Sequence, residues 1–349
     1  MASGVRVRFG AISGRQMRRC HSGSDRRQAF GPSPDFARIR QRVTSGAARI
    51  MIGNGSSART CTRRNHFMSD ASTLHAQQLA FWNGPAVARW ITRQEQMDAA
   101  LAPVADAAVT LAAVQPGDRV LDIGCGSGAT SIALARLVGP TGQVAGIDVS
   151  GSMIELARKR SVGMGNLDWL LADAAAHDFP PGLTDLLFSR FGVMFFGDPV
   201  AAFANLRRAL RPGGRLVFAC WRPLNENPWM LLPLQVVQTL VPPIPRPASD
   251  EPGPFAFGDP ERVTHILTAA GFSSPRYNRF GFAMVLGTSL DDAAEQATSM
   301  GAASRALQEQ PETVREAARE AVRAALVPHF ESGRVALPGA IWLVETLAA

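Results

Sequence analysis

The sequence predicts a doubly wound α/β domain, in which helices cover both faces of a mostly parallel sheet. Short apolar segments alternate with amphipathic segments between residues 119 and 221, a pattern that is typical of parallel sheets. The first strand leads into closely spaced glycines at positions 124, 126 and 128, where the backbone of such a sheet approaches its ligand. Asp148 then ends the second strand. These three observations predict a ligand site at the carboxyl edge of the sheet.

The segment before the sheet, residues 68–115, predicts a helical front. It is rich in Ala, Leu and Gln, and its apolar residues recur at three- and four-residue spacing. We expect the helices to be interrupted at Asn83-Gly84-Pro85 and again at Pro103, because glycine and proline interrupt helices. The turn "QPGD" then leads into the first strand.

The core segment, residues 116–288, predicts alternating strands and helices. Ser152 and Glu155 fit a capping box at the start of the helix after strand two, and "RPGG" predicts a turn before strand five. The predicted helices cover 129–138, 152–160, 198–210 and 259–271. The predicted strands cover 119–123, 143–149, 167–173, 184–191, 215–221 and 276–286.

The end of the chain predicts a helical insertion followed by one more strand. The insertion, residues 289–335, contains two helical segments at 289–308 and 311–327. Residues 336–349 then supply the last strand of the sheet, at 340–347. One α/β domain with a helical front and a helical insertion therefore accounts for everything after Met68.

The first 67 residues differ in composition from the rest. They contain fourteen Arg and two acidic residues, which leaves 22 basic and 27 acidic residues for 68–349, a net charge of −5. The overall charge of +7 therefore comes from residues 1–67, the basic head of the chain. We expect no nucleic-acid partner for the folded part of the chain. We expect the head to be disordered, because it lacks periodic apolar residues. The composition of the head fits a mitochondrial transit peptide or a basic arm that binds nucleic acid. The head could also be an over-long start, with translation beginning at Met68, and the abrupt change in composition favours this third interpretation.

Cysteine spacing and hydropathy argue against a metal-binding, disulfide-rich or membrane-spanning protein. Cys20, Cys61, Cys125 and Cys220 show neither Cys-x-x-Cys nor Cys/His spacing, so we predict no metal site, no disulfide framework and a reducing, cytoplasmic location. The 46% hydrophobic and 19% charged content is typical of an enzyme with a full core. No apolar run approaches the roughly 18 residues of a membrane span.

The segment "RVLDIGCGSGATSIALARL" fits two cofactor templates. Gly124, Gly126 and Ala129 satisfy the G-x-G-x-x-G/A fingerprint of dinucleotide sites. Gly124, Gly126 and Gly128 behind Asp122 also satisfy the D-x-G-x-G-x-G loop of S-adenosylmethionine methyltransferases. The loop alone therefore predicts an adenosine-containing cofactor without choosing between the two.

Three acidic residues bear on this choice. Asp148 suits the ribose hydroxyls of either cofactor and could also cap the following turn. Asp122 would repel a pyrophosphate at the helix terminus, but it is compatible with a cofactor that carries an ammonium and a sulfonium. Asp122 could also hold the turn by accepting loop N–H groups. Asp173, beside Ala174 at the end of strand three, lies where it could accept an adenine amino group. The balance favours S-adenosylmethionine.

Five motifs in correct order then resemble a known family. The segments "VLDIGCGSGATSIALA", "GIDVSGSMIELARKR", "LLADAAAHDFP", "TDLLFSRFGVMFF" and "NLRRALRPGGRLVFACW" are similar to the successive motifs of class I S-adenosylmethionine-dependent methyltransferases. The closest group is that of the ubiquinone and menaquinone biosynthesis methyltransferases (methyltransferase type 11). The resemblance implies a Rossmann-like seven-stranded sheet with order 3-2-1-4-5-7-6, strand seven antiparallel, and S-adenosylhomocysteine as a product.

The resemblance also implies roles for individual residues. It places the three loop glycines at the methionine portion of the cofactor, Asp148 at the ribose, and Asp173 with Ala174 at the adenine. It places Ser189 and Arg190, at the end of strand four, towards the methyl group and the acceptor. The complete predicted cofactor set is Asp122, Gly124, Cys125, Gly126, Gly128, Asp148, Val149, Asp173, Ala174 and Ser189.

Acceptor binding is predicted from fewer signals. Arg190 at the mouth of the sheet could anchor an acidic acceptor or organise a polar network. Trp82 could close over the cofactor, and Trp221 could line an acceptor pocket. Methyl transfer from a sulfonium depends mainly on positioning, so no catalytic residue is assigned. The nominal bases are His75, His177 and His265, of which we expect the last to be packed in its helix.

The function predicted on these grounds is methyl transfer to a small-molecule acceptor by in-line displacement. Two other classes stay open: a non-catalytic relative that only binds S-adenosylmethionine, and an NAD(P)-dependent oxidoreductase, which the acid before the glycines disfavours. The sequence does not identify the acceptor, the atom that is methylated or the oligomeric state.

Overall fold

The computed structural model of the chain describes residues 71–84, 86–242 and 251–349. The basic head of residues 1–67 and the predicted start at Met68 lie outside the described residues. Within the described ranges, every helix is too short or too polar to cross a membrane.

The described strands form one sheet of mostly parallel topology. The strands are β1 (Arg119–Ile123), β2 (Gln143–Asp148), β3 (Leu167–Leu171), β4 (Thr184–Arg190), β5 (Leu210–Trp221), β6 (Arg276–Gly287), β7 (Phe330–Glu331) and β8 (Arg334–Leu347). Their order is β3-β2-β1-β4-β5-β8-β6, and the two-residue β7 pairs with β8. β8 is antiparallel to both β5 and β6, while β1 to β5 pair in parallel. The predicted order 3-2-1-4-5-7-6 is confirmed, with β8 as the seventh main strand.

The helices lie before, between and after the strands. They are α1 (Ala71–Trp82), α2 (Ala86–Thr92), α3 (Gln94–Ala112), α4 (Ala129–Val138), α5 (Gly151–Arg160), α6 (Pro199–Ala209), α7 (Pro228–Val237), α8 (Pro260–Ala269), α9 (Leu290–Ser299), α10 (Gly301–Leu307) and α11 (Glu312–Leu326). The central strands consist mostly of consecutive apolar residues, because helices bury both faces of the sheet.

The predicted break at Pro103 is wrong, because α3 continues through that residue. Pro103 lies on the exposed side of the helix, whereas Leu101, Val104 and Ala108 on the opposite side are buried. A proline inside a helix costs about 3 kcal/mol. The packing of a long apolar face outweighs that cost, since tertiary contacts supply most helix stability in proteins.

Three other element boundaries differ from the prediction. Ser150, not Ser152, is the N-cap residue of α5, because Asp148 accepts the Ser150 N–H and fixes the cap two residues earlier. β5 begins at Leu210, which pairs with Thr184 before a register shift, so "RPGG" lies within the strand. The segment 289–308 forms two helices, because Met300 adopts an extended backbone between them.

The insertion helices pack beside the carboxyl edge of the sheet. α9 packs against β6 and α11, and both α10 and α11 pack against α7. This arrangement places Met300 and Gly301, at the junction of α9 and α10, in the wall of the cavity described next. The insertion therefore contributes to the site.

Candidate functional site

One cavity of about 270 Å³ opens at the carboxyl ends of β1, β2, β3 and β4. Its wall contains ten of the thirteen predicted site residues: Trp82, Gly124, Cys125, Gly126, Asp148, Val149, Asp173, Ala174, Arg190 and Trp221. Asp122, Gly128 and Ser189 do not line it. The topology thus brings together residues that lie up to 139 positions apart, from Trp82 to Trp221.

The glycine loop after β1 holds its shape through backbone hydrogen bonds. Gly124 and Cys125 both donate to the carbonyl of Ile147, with N···O distances of 2.9 and 3.1 Å. Gly128 donates to the carbonyl of Cys125 and begins α4. The Trp169 ring packs beside Gly128, so Gly128 shapes the loop and does not contact the cavity.

Asp148 both supports the glycine loop and faces the cavity. One carboxylate oxygen accepts the Gly126 N–H at 2.8 Å, and the other accepts the Ser150 N–H at 2.9 Å. Burial raises the pKa of Asp148, while these N–H donors lower it. Each oxygen retains a further acceptor site, so the turn-capping role does not compete with binding of ribose hydroxyls.

Asp122 lies beneath the loop and is completely buried. Its Oδ2 accepts hydrogen bonds from Thr130 at 2.7 Å and Ser131 at 2.6 Å, both in α4. Among the described residues, its Oδ1 has no hydrogen-bond partner. Burial, partly offset by these hydroxyl donors, raises the pKa of Asp122 to about 6. The position supports the structural role of joining β1 to α4, not direct contact with a cofactor.

Asp122→Asn is expected to remove part of the pH dependence of folding stability. The raised pKa means that the folded chain holds this proton more tightly than the unfolded chain, so the group increasingly opposes folding as the pH rises from about 4 to about 6. Between pH 5 and pH 7.5 the wild type loses about 1 kcal/mol through this group, a loss that the amide does not undergo. Chemical denaturation of both proteins at the two pH values measures the difference. Parallel pH profiles would contradict the raised pKa.

Asp173 forms a contact with the front helix at the cavity wall. His75 Nε2 in α1 lies 3.1 Å from Asp173 Oδ2, and the other oxygen accepts the Ala175 N–H at 2.9 Å. Ala174 beside it is buried. The structure therefore pairs two residues that the sequence suggests for separate tasks, adenine binding and proton transfer.

The other two histidines and Ser189 lie away from the cavity wall. His177 packs edge-on against Phe179, and burial lowers its pKa. His265 is exposed on α8, so the expectation that it is packed is wrong. Ser189 is fully buried; its hydroxyl donates to the carbonyl of Ile123 at 2.8 Å and accepts the Gly192 N–H. This bonding corrects the expectation that Ser189 faces the methyl group.

The helical front closes the cavity beside the glycine loop. The Trp82 ring meets Phe195 edge-on, with centroids 5.1 Å apart. Asn83 donates to the carbonyl of Val149 at 3.1 Å and accepts the Gly151 N–H at 3.4 Å. The sequence pattern identifies Asn83 only as part of a helix end, yet its side chain joins the front to the end of β2.

The far end of the cavity is apolar and aromatic. Phe191, which has a positive φ of 70°, stacks on Trp221 with centroids 4.4 Å apart. Trp229 packs against the same tryptophan at 5.0 Å. Further residues of the cavity wall are Trp90, Met97, Leu101, Met230, Met284, Met300 and Gly301. Sequence reasoning misses these methionines, because isolated methionines in helices and strands are usually core residues.

Arg190 is the basic residue at this end of the cavity. Its guanidinium lies 3.7 Å from Asp98 of α3, and Asp98 also binds Arg160 at 2.7 Å and accepts a hydrogen bond from Gln94. Burial lowers the pKa of Arg190, while Asp98 and Asp122 oppose that change. The predicted polar network at Arg190 is therefore present, with Asp98 as a member that no sequence motif indicates.

Comparison with known proteins agrees with this geometry. Residues 120–214 match the family model described as "Methyltransferase domain". The chain is 34% identical to nocamycin O-methyltransferase from Saccharothrix syringae over half of this chain and 66% of that protein. It is 40% identical to the ubiquinone/menaquinone biosynthesis C-methyltransferase of Teredinibacter turnerae over 31% of this chain and 45% of that protein. The chain thus spans between about half and two thirds of the length of these relatives.

Solved structures include a putative methyltransferase from Bacillus halodurans, which is 18% identical with a TM-score of 0.47 and covers 70% of this chain and 98% of that one. The sheet order, the glycine loop behind Asp122 and the acid at the end of β2 agree with the family match over 120–214. The chain therefore contains a methyltransferase domain of the class I S-adenosylmethionine-dependent kind, and this domain is similar to that of the ubiquinone and menaquinone biosynthesis enzymes.

Proposed function

We propose that the chain transfers a methyl group from S-adenosylmethionine to a small-molecule acceptor. The observation that carries the proposal is the continuity of one cavity, which runs from the glycine loop and Asp148 to the aromatic wall around Trp221. A cofactor at the first end and an acceptor at the second would share one space, as direct transfer requires. The relatives support a small acceptor, although one is named for O-methylation and another for C-methylation.

The residues around the glycine loop fit S-adenosylmethionine better than a dinucleotide. Asp148 has acceptor capacity left for ribose hydroxyls, and Asp173 and Ala174 lie where the adenine would be bound. Asp122 lies directly beneath the start of α4, where a dinucleotide would place its pyrophosphate. A carboxyl group at that position favours a cofactor without phosphate.

The chain's own contribution to transfer would be positioning and exclusion of water. The bound cofactor supplies a methyl group that is already activated on a sulfonium. Asp148 and the loop N–H groups hold one end of the cavity, while Trp82 of the front and Phe195, which follows β4, cover it. Phe191 and Trp221 form a flat apolar wall against which an acceptor could be oriented. Such restraint can supply most of the rate of a displacement.

Calorimetry with four ligands tests the cofactor. We expect S-adenosylmethionine and S-adenosylhomocysteine to bind the full chain, and NAD and NADP not to bind. Binding of the dinucleotides alone would overturn the proposal in favour of an oxidoreductase.

Transfer of labelled methyl groups to a cell extract, followed by mass analysis of the products, tests turnover. We expect a labelled small molecule that is absent when S-adenosylhomocysteine is added in excess. Cofactor binding without any labelled product would indicate a non-catalytic relative.

A further inference from the structure

We propose that the acceptor is a flat, largely apolar carboxylic acid whose carboxylate is held by Arg190 and is itself the methylated group. The inference rests on the proposed methyl transfer and names the chemical class of its acceptor. It is carried by three features of the cavity: an arginine whose carboxylate neighbours are distant, bases that already have partners, and an apolar wall.

Arg190 has no carboxylate at hydrogen-bond distance among the described residues. Asp98 is shared between two guanidinium groups, and it lies 2.7 Å from Arg160 but 3.7 Å from Arg190. The Arg190 side chain is only 15% exposed, yet it lines the cavity. Asp122, the other carboxyl whose charge acts on Arg190, lies beneath the glycine loop, where it accepts hydrogen bonds from two hydroxyl groups of α4. A buried guanidinium with so distant a partner is suited to bind a carboxylate in the cavity.

The bases that line the described cavity wall each have a partner. His75 contacts Asp173, and Asp148 accepts two backbone N–H groups. Burial raises the pKa of the Cys125 thiol, so that it stays protonated. An acceptor that must lose a proton during transfer would need one of these groups as a base.

A carboxylate needs no base. One of its oxygens would form the new O–CH₃ bond while the S–CH₃ bond of the cofactor breaks, and the electron pair of that bond stays on sulfur. The negative charge of the carboxylate and the positive charge of the sulfonium are both neutralised, and no proton moves. Arg190 would orient the carboxylate, and the transfer would proceed without a proton acceptor, so none of the partnered bases would be needed.

The remainder of the acceptor would contact an apolar wall that adapts its shape. Six side chains from four different parts of the chain form this wall: Met97, Leu101, Trp229, Met230, Met284 and Met300. Methionine side chains fill irregular spaces and contact aromatic rings favourably. The parallel pair of Phe191 and Trp221, inclined by only 3°, presents a flat face beside Arg190. Such a wall fits fused or conjugated rings.

The test uses anthracene-9-carboxylate as the probe and anthracene-9-carboxamide as its neutral counterpart. Both are titrated into the full chain saturated with S-adenosylhomocysteine, and binding is followed by calorimetry. We expect the acid to bind at least 10-fold more tightly than the amide. With labelled S-adenosylmethionine, we expect the acid to give an alkali-labile ester that releases labelled methanol on hydrolysis.

Arg190→Gln should weaken binding of the acid on the order of 10-fold and leave binding of the amide unchanged. Arg190→Lys should recover part of the preference for the acid, because it retains the charge. Arg136→Gln, an exposed arginine of α4, is the matched control and should behave as the wild type. Should Arg190→Gln fail to fold, the wild type and Arg190→Lys still decide the preference.

Three results would overturn the inference. Equal affinity for the acid and the amide in the wild type would exclude recognition of a carboxylate. A loss of S-adenosylhomocysteine affinity in Arg190→Gln as large as the loss for the acid would assign Arg190 to the cofactor. Failure of the wild type to bind S-adenosylhomocysteine at all would instead reject the proposed function itself.

Discussion

Asp148→Ala is expected to weaken binding of S-adenosylmethionine on the order of 100-fold. A charge-assisted contact to two hydroxyl groups is worth about 1.5 to 3 kcal/mol. The substitution also leaves the N–H groups of Gly126 and Ser150 without their acceptor, which loosens the loop at one end of the cavity. Calorimetric titration of the purified variant with S-adenosylmethionine measures the change.

Two variants separate the contributions of Asp148. Asp148→Asn keeps one acceptor for a backbone N–H and removes the charge, so we expect an intermediate loss of affinity. Asp106→Ala changes an exposed acid of α3 and should leave the affinity unaltered. Wild-type affinity in Asp148→Ala would remove Asp148 from the ribose.

The second large effect is expected from alanine at Gly124. This residue has a φ of +64°, and a Cβ placed there would lie 2.7 Å from the Gly192 Cα. The left-handed conformation alone costs about 1 to 2 kcal/mol, and forced displacement of packed backbone adds about 1 to 3 kcal/mol. Chemical denaturation should therefore show a loss of about 3 kcal/mol in the free energy of unfolding.

Gly126→Ala provides the matched control for this prediction. Its φ of +54° imposes the same conformational cost, but a Cβ there meets no atom within 4 Å. We expect a loss of stability of about 1 to 2 kcal/mol together with weaker cofactor binding, since Gly126 lines the cavity. Equal stability of the two variants would show that the approach of Gly124 to Gly192 is not a tight constraint.

Patterns that are local in sequence predict the fold well. The alternation of strands and helices, the glycine loop and Asp148 are all visible within short segments. The predicted sheet order is confirmed by the observed order β3-β2-β1-β4-β5-β8-β6. Local propensity fails at Pro103, because the buried face of α3 decides the outcome there. It also fails at Ser152, because a hydrogen bond from Ser150 to Asp148 moves the start of α5.

The candidate site is predicted less completely, for a different reason. Motif positions identify which strand end a residue occupies, but they do not reveal which of its atoms are already bonded. Ser189 and Asp122 both lie at the correct strand ends, yet the Ser189 hydroxyl donates to Ile123, and one Asp122 oxygen accepts hydrogen bonds from two residues of α4. Asp98 reaches Arg190 from a helix 92 positions earlier in the chain, and no short-range pattern contains such a contact.

The junction of α9 and α10 is a position at which the cavity wall of this protein can be altered. The family match ends at residue 214, whereas Trp229, Met230, Met284 and Met300 of the acceptor wall lie beyond it. Much of the proposed acceptor wall is therefore separate in sequence from the segment that carries the glycine loop. Residues 290–326 contain three helices, α9 to α11, and contribute only Met300 of these four residues, so exchange of that segment would alter one part of the proposed acceptor wall and retain the cofactor end.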